Sequence, residues 1–181
     1  MNWANLVTYL RIVLIPAVIV FYFASFDYAN LWAATLFSIA SVTDWLDGYL
    51  ARKLGLASDF GAFLDPVADK LLVVVVLITL VSVYPALLLA AVVIISREIL
   101  VSALREWMAG KGDRSTVAVA FSGKLKTLVQ MLSIIALLLF SQNGPEWIWY
   151  IGYYGIYLSA LLSVYSMMNY FMNAWTRLQE D

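Results

Sequence analysis

Asp44-Trp-Leu-Asp47-Gly48-Tyr-Leu-Ala51-Arg52 and, after eight residues, Gly61-Ala-Phe-Leu-Asp65-Pro-Val-Ala-Asp69 run at both ends into long apolar segments. The pattern is D-x2-D-G-x2-A-R-x8-G-x3-D-x3-D. Carboxylates in or beside apolar membrane segments are costly and mark function by default. Asp44 and Asp47 are three residues apart and Asp65 and Asp69 four, so in helices each pair lies on one face. Two such pairs predict a divalent-metal site that handles phosphate.

Composition sets the solvent. Of 181 residues, 64% are hydrophobic and 13% charged, against roughly 25% charged in a soluble domain. The mean hydropathy of +0.86 and the repeated apolar runs place the chain in the membrane class. A net charge of −1 shows no basic excess for nucleic acid, and none is expected as a partner. Cysteine and histidine are absent, which excludes disulfides, thiolate nucleophiles, Ser-His-Asp and Cys-His catalysis, and His- or Cys-ligated metal. A general base must be a carboxylate, a lysine or a tyrosine.

Six apolar spans emerge, about Asn5–Phe26, Leu31–Lys53, Asp65–Tyr84, Ala86–Ala109, Val117–Ser141 and Trp147–Trp175. The first reads as a retained helix, since no basic residue precedes Arg11. Short connections imply one compact domain over residues 1–181. Basic residues are absent from the first, third and fifth connections, whereas Arg52, Lys53, Lys111, Arg114 and Arg177 gather at the other ends. The positive-inside rule then puts both termini in the cytoplasm. Trp32, Trp147 and Trp149 would mark the outer belt, and Trp3, Trp107 and Trp175 the inner one. The expected fold is an all-α integral membrane bundle of six transmembrane helices, in the inner (cytoplasmic) membrane, with a polar cavity open to the cytoplasm.

Depth supports that cavity. Asp44 lies thirteen residues in from Leu31, roughly 20 Å at ~1.5 Å per residue, and Asp69 fifteen residues from Tyr84, roughly 23 Å. In a core of ~30 Å both pairs sit about two turns beneath the cytoplasmic surface. Arg11, Lys124 and Lys126 count to the same level, and Arg97 lies deeper.

Each signal also has a plainer reading. Asp65-Pro66 is what a helix start looks like, although this leaves Asp69 and the Asp44/Asp47 pair unexplained. Asp44 and Asp47 could pair with Arg52 or a lysine. Crowded carboxylates would nonetheless neutralise without a cation, and two Mg²⁺ or Mn²⁺ ions, oxygen-ligated, fit the set. Arg97-Glu98 could be a buried structural pair. Alternatively Arg97, Val101 and Arg105 form an arginine-bearing face whose planar donor forks suit phosphate. Lys124 and Lys126 cannot both face inward, and one snorkels. Gly48, one turn beyond Asp44, would let a ligand approach the backbone.

The chain resembles the CDP-alcohol phosphotransferase family, whose signature D-x2-D-G-x2-A-R-x8-9-G-x3-D-x3-D is matched at every fixed position from Asp44 to Asp69. Asn5-x-x-Thr8-x-x-Arg11, Arg97-Glu98-Ile99, Ser102-Ala-Leu-Arg105-Glu106-Trp107 and Gly123-Lys124-x-Lys126-Thr127 are similar to the branch that uses a glycerol phosphate acceptor. The resemblance implies a six-helix homodimer with a cytoplasm-facing two-metal site. Asp44, Asp47 and Asp65 would ligate the metals, and Asp69 would ligate one and serve as base. Gly48, Ala51, Arg52 and Gly61 would contact the CDP moiety of CDP-diacylglycerol, with Asn5, Thr8 and Arg11 nearby.

The expected reaction is phosphatidyl transfer from CDP-diacylglycerol to sn-glycerol 3-phosphate, with Arg97, Arg105 and one of Lys124 and Lys126 holding the acceptor phosphate. The same chemistry on inositol phosphate or phosphatidylglycerol is the nearest alternative. A divalent-cation transporter is disfavoured because no acidic residue in the outer half of any span completes an ion path.

Overall fold

A computed structural model describes residues 3–54, 59–110, 121–141 and 144–178. Among them the chain forms six α-helices, one at each expected span: α1 (Trp3–Tyr22), α2 (Ala29–Leu54), α3 (Asp59–Val83), α4 (Leu88–Gly110), α5 (Phe121–Leu139) and α6 (Glu146–Leu178). A 3₁₀ turn over Pro85–Leu87 joins α3 to α4. There proline lacks the N–H that would continue a helix.

Two boundaries differ from expectation. The first helix stops at Tyr22 rather than Phe26, because the aromatic letters after it belong to a folded-back turn. The Phe26 ring packs edge-on against Phe21 with centroids 5.8 Å apart, and Tyr28 takes a left-handed φ of 66° before α2 begins. The third helix begins at Asp59, so Asp65 and Pro66 lie inside it. The helix-start reading of Asp65-Pro66 is thereby overturned. The earlier start also brings Gly61 onto the same helix as Asp65 and Asp69, four residues apart in each step.

The helices pack as two linked groups. α1 lies along α2 and α3, α5 lies along α6, α4 packs mainly on α6, and α2 bridges to α5. α2 buries Ala33, Ala34, Phe37 and Ala40, a helical stripe whose small residues allow close approach between apolar helices. The α5–α6 contact is tighter still. A Cβ placed on Gly152 would stand 2.6 Å from Leu137 Cγ, and one on Gly155 would collide with Ser133 Oγ. Leu72, Val76, Leu77, Leu80, Ile94, Ile134, Leu137 and Ile156 fill the main core.

The outer faces are apolar as well. Val20, Ile78, Leu89, Leu128 and Leu161 are each more than half exposed, a surface suited to lipid rather than water. Pro85–Gly110 and Glu146–Met172 are long and apolar enough to cross a membrane, while Tyr9–Tyr22, Ala29–Thr43 and Leu125–Leu139 are shorter apolar stretches. Several hydroxyls inside these helices are satisfied locally. Thr35 and Ser38 donate to the carbonyls four residues back at 2.7 Å, and Ser41 does so at 2.8 Å. At 33 residues α6 is the longest element described.

Candidate active site

Asp44 and Asp47 lie on α2, and Asp65 and Asp69 on α3. Helical backbone at all four positions gives each pair the shared face that its spacing requires. The side chains of Asp44, Asp47, Arg52 and Asp65 lie outside the described residues, as do those of Asn5, Thr8, Ala51 and Lys124 and the surroundings of Gly48 and Gly61. Asp69 is described, and its carboxylate is 38% exposed. It accepts a charged hydrogen bond from Nη1 of Arg11, which α1 carries into the interior with only 2% of its side chain exposed. A buried guanidinium is tolerable only when an anion accompanies it, and Asp69 is an anion that Arg11 meets.

A second polar cluster is assembled from α4, α5 and α6. Arg97, 6% exposed, donates from Nη2 to Ser166 Oγ at 3.1 Å and lies 3.4 Å from Oε1 of Glu98. The same Glu98 oxygen accepts from Lys126 Nζ. Arg105 donates from Nη2 to the Tyr170 hydroxyl at 2.5 Å. The Tyr170 ring lies under both guanidiniums, with its centroid 4.8 Å from the central carbon of Arg105 and 5.9 Å from that of Arg97.

Arg97 and Glu98 are neighbours on α4. The two residues touch, and Arg97, Val101 and Arg105 also share the inward face. Of the two α5 lysines, Lys126 faces inward. Among the described residues Arg97 and Lys126 meet one carboxylate, Glu98, while Arg105 shares the Tyr170 ring with Arg97. Nε of Arg97 and of Arg105 is buried without a hydrogen-bond partner. Buried donors left unmade are costly, and a surplus of buried positive charge calls for an anion. A phosphate, with several acceptor oxygens, meets both needs.

Ser166 and Tyr170 were not among the expected site residues. Their signal was in the sequence: Ser159, Ser163, Ser166 and Tyr170 recur on one face of an otherwise apolar helix, and all four are buried.

A family model described as CDP-alcohol phosphatidyltransferase matches residues 1–168. This chain belongs to the CDP-alcohol phosphatidyltransferase family. Relatives are similar along nearly their whole length. A CDP-diacylglycerol--glycerol-3-phosphate 3-phosphatidyltransferase of Pseudomonas fluorescens is 44% identical over a 186-position alignment covering 100% of this chain and 94% of the relative. One of Salmonella choleraesuis is 43% identical, covering 93% and 92%. One of Wigglesworthia glossinidia brevipalpis is 39% identical, covering 98% and 97%. CDP-alcohol phosphatidyltransferases generally depend on divalent metal.

Proposed function

We propose that this enzyme transfers the phosphatidyl group of CDP-diacylglycerol to sn-glycerol 3-phosphate, yielding phosphatidylglycerophosphate and CMP. The observation that carries the acceptor assignment is the surplus of positive charge at the buried Arg97 and Lys126 and the half-buried Arg105, with the unmade Nε donors of the two arginines. A phosphorylated acceptor satisfies that site, whereas serine or an amino alcohol brings no anionic oxygens suited to it.

The donor set fits two Mg²⁺ or Mn²⁺ ions, since Asp44, Asp47, Asp65 and Asp69 offer hard oxygen ligands from two helices and the chain has no histidine or cysteine. Bound there, the metals supply charge neutralisation at the donor diphosphate. The protein does the rest. Arg97 and Arg105, with Lys126 behind them, hold the acceptor phosphate and thereby place its primary hydroxyl near the attacked phosphorus. Asp69 takes the hydroxyl proton as the new P–O bond forms and the bond to CMP breaks. Arg11, already at Asp69, keeps that carboxylate aimed. Gly48, Ala51, Arg52 and Gly61, with Asn5 and Thr8, cradle the CDP moiety.

The reading extends to placement. One domain spans the membrane six times in the inner membrane, with both termini and the catalytic cavity on the cytoplasmic side, as a homodimer. The exposed apolar faces of the described helices and the one-sided distribution of lysine and arginine support it.

The test is CMP release by the purified chain in detergent with Mg²⁺, CDP-diacylglycerol and one acceptor at a time. Glycerol 3-phosphate should drive release. Release driven by inositol phosphate or phosphatidylglycerol, with none from glycerol 3-phosphate, sinks the acceptor assignment.

A further inference from the structure

At the end of the bundle away from Asp69, Tyr84, Phe140, Glu146, Trp149 and Tyr150 line a cavity of about 250 Å³. Tyr84 stands fifteen residues beyond Asp69 on the α3 side, roughly 23 Å along the helix direction, so this cavity lies far from Asp69. Four of its walls are aromatic, and three of these rings brace one another. The Trp149 ring centroid is 4.7 Å from Tyr84 and 5.4 Å from Phe140, and Tyr84 and Phe140 are 6.0 Å apart. Their positions are fixed from outside. Asn30 Nδ2 donates to the Phe140 carbonyl at 2.6 Å, and Tyr157 donates to the Ala86 carbonyl, next to Pro85, at 2.8 Å.

The remaining wall is a carboxylate with no cation of its own. Glu146 opens α6 and is exposed, and no ion pair joins it to another described residue. The sequence holds no lysine or arginine between Arg11 and Arg52, between Lys70 and Arg97, or between Lys126 and Arg177, so this end of the bundle has no basic residue to supply one. An acid in a first helical turn is favoured by the helix dipole, and tryptophan and tyrosine gather at membrane interfaces. Those tendencies account for the residues but not for a preformed cavity between rings and carboxylate.

We infer that this cavity binds the alkylammonium headgroup of a zwitterionic membrane lipid. Aromatic faces attract ammonium groups through their quadrupole, and Glu146 adds the countercharge. The neighbouring Trp147, Ile151 and Tyr154 are exposed and offer apolar surface to the lipid's chains at headgroup level. The inference rests on the proposed membrane placement, not on the transfer reaction.

The test uses the full chain in nanodiscs of equal phosphatidylethanolamine and phosphatidylglycerol, with native mass spectrometry counting the lipid retained on release. Wild type should hold phosphatidylethanolamine in preference by roughly three- to tenfold, the range of cation–π recognition. Glu146→Gln should bring the ratio close to one with the wild-type melting temperature, and Trp149→Leu should also lower the ratio. An unchanged ratio in Glu146→Gln, or no preference in wild type, overturns the site. Free ethanolamine that displaces the lipid at equal concentration overturns the lipid assignment. The readout is independent of CMP release, so failure here and failure of the transfer reading are distinguishable.

Discussion

Tyr170 holds Arg105 in two ways, accepting from its Nη2 at 2.5 Å and lying 4.8 Å beneath its guanidinium carbon. The hydroxyl fixes the direction of the donor fork and the ring fixes its plane. The other donors of Arg105 remain available to a ligand, and its buried Nε has no partner.

Tyr170→Phe keeps the ring and removes the hydroxyl. A lost hydrogen bond to a charged group is worth about 1.5–3 kcal/mol. The KM for glycerol 3-phosphate should therefore rise by at least about tenfold, with the KM for CDP-diacylglycerol nearly unchanged. Equal rises in both constants would show that Tyr170 merely supports the fold.

Asp69→Asn removes the proposed base while preserving size. General-base catalysis contributes about 10²–10⁴-fold, so turnover should fall by at least that factor. CDP-diacylglycerol binding, followed by equilibrium dialysis, should persist within a few fold. Turnover near wild type would end the base assignment.

Glu98→Gln leaves Lys126 and Arg97 buried without their shared anion. Breaking a buried pair from one side costs about 3–5 kcal/mol, and the low end applies because the Glu98 side chain keeps 20% exposure. The melting temperature in detergent should drop clearly. Glu98→Gln combined with Lys126→Met should recover part of the loss, since the second change removes a stranded charge; a further drop in the double variant contradicts this account.

Gly152→Ala puts a methyl 2.6 Å from Leu137 Cγ. Overpacking of this kind costs about 1–3 kcal/mol, read as a lower melting temperature. Leu137→Ala in the same chain should relieve the clash, although the cavity it opens limits the recovery.

Chelation provides the remaining check. Removing divalent metal with EDTA should abolish CMP release, and Mg²⁺ or Mn²⁺ should restore it, whereas Ca²⁺, with its longer and looser coordination, should not. Full activity in EDTA would contradict a carboxylate-held metal site.

The helices were legible because apolar runs and their breaks are local signals. Tyr84-Pro85 ended α3 as its proline requires, and aromatic letters after Tyr22 misled because a turn can be as apolar as a helix. The apolar run placed the third span from Asp65, and the earlier start was legible only through facing: Gly61 joins the Asp65/Asp69 face if the helix starts near Ser58, and α3 begins at Asp59. Lys126 could not be separated from Lys124 by position alone, since the choice depends on Glu98, 28 residues earlier and on another helix. Ser166 and Tyr170 went unread because their value comes from Arg97 and Arg105, more than 60 residues away in the chain.

The length of α6 bears on how two unlike substrates meet. Its 33 residues extend roughly 50 Å, against ~30 Å of hydrocarbon. Measured from Glu146, Ser166 falls about 30 Å along and Tyr170 about 36 Å. A helix entering the hydrocarbon at Glu146 therefore delivers these two residues to the far boundary, where oil gives way to water. A sugar-sized phosphate can diffuse in from the aqueous side at that level, while a two-tailed donor slides in sideways without leaving the bilayer. On the placement proposed above, the long helix would act as a ruler, carrying the partners of Arg97 and Arg105 to the end of the bundle that faces the water-soluble substrate.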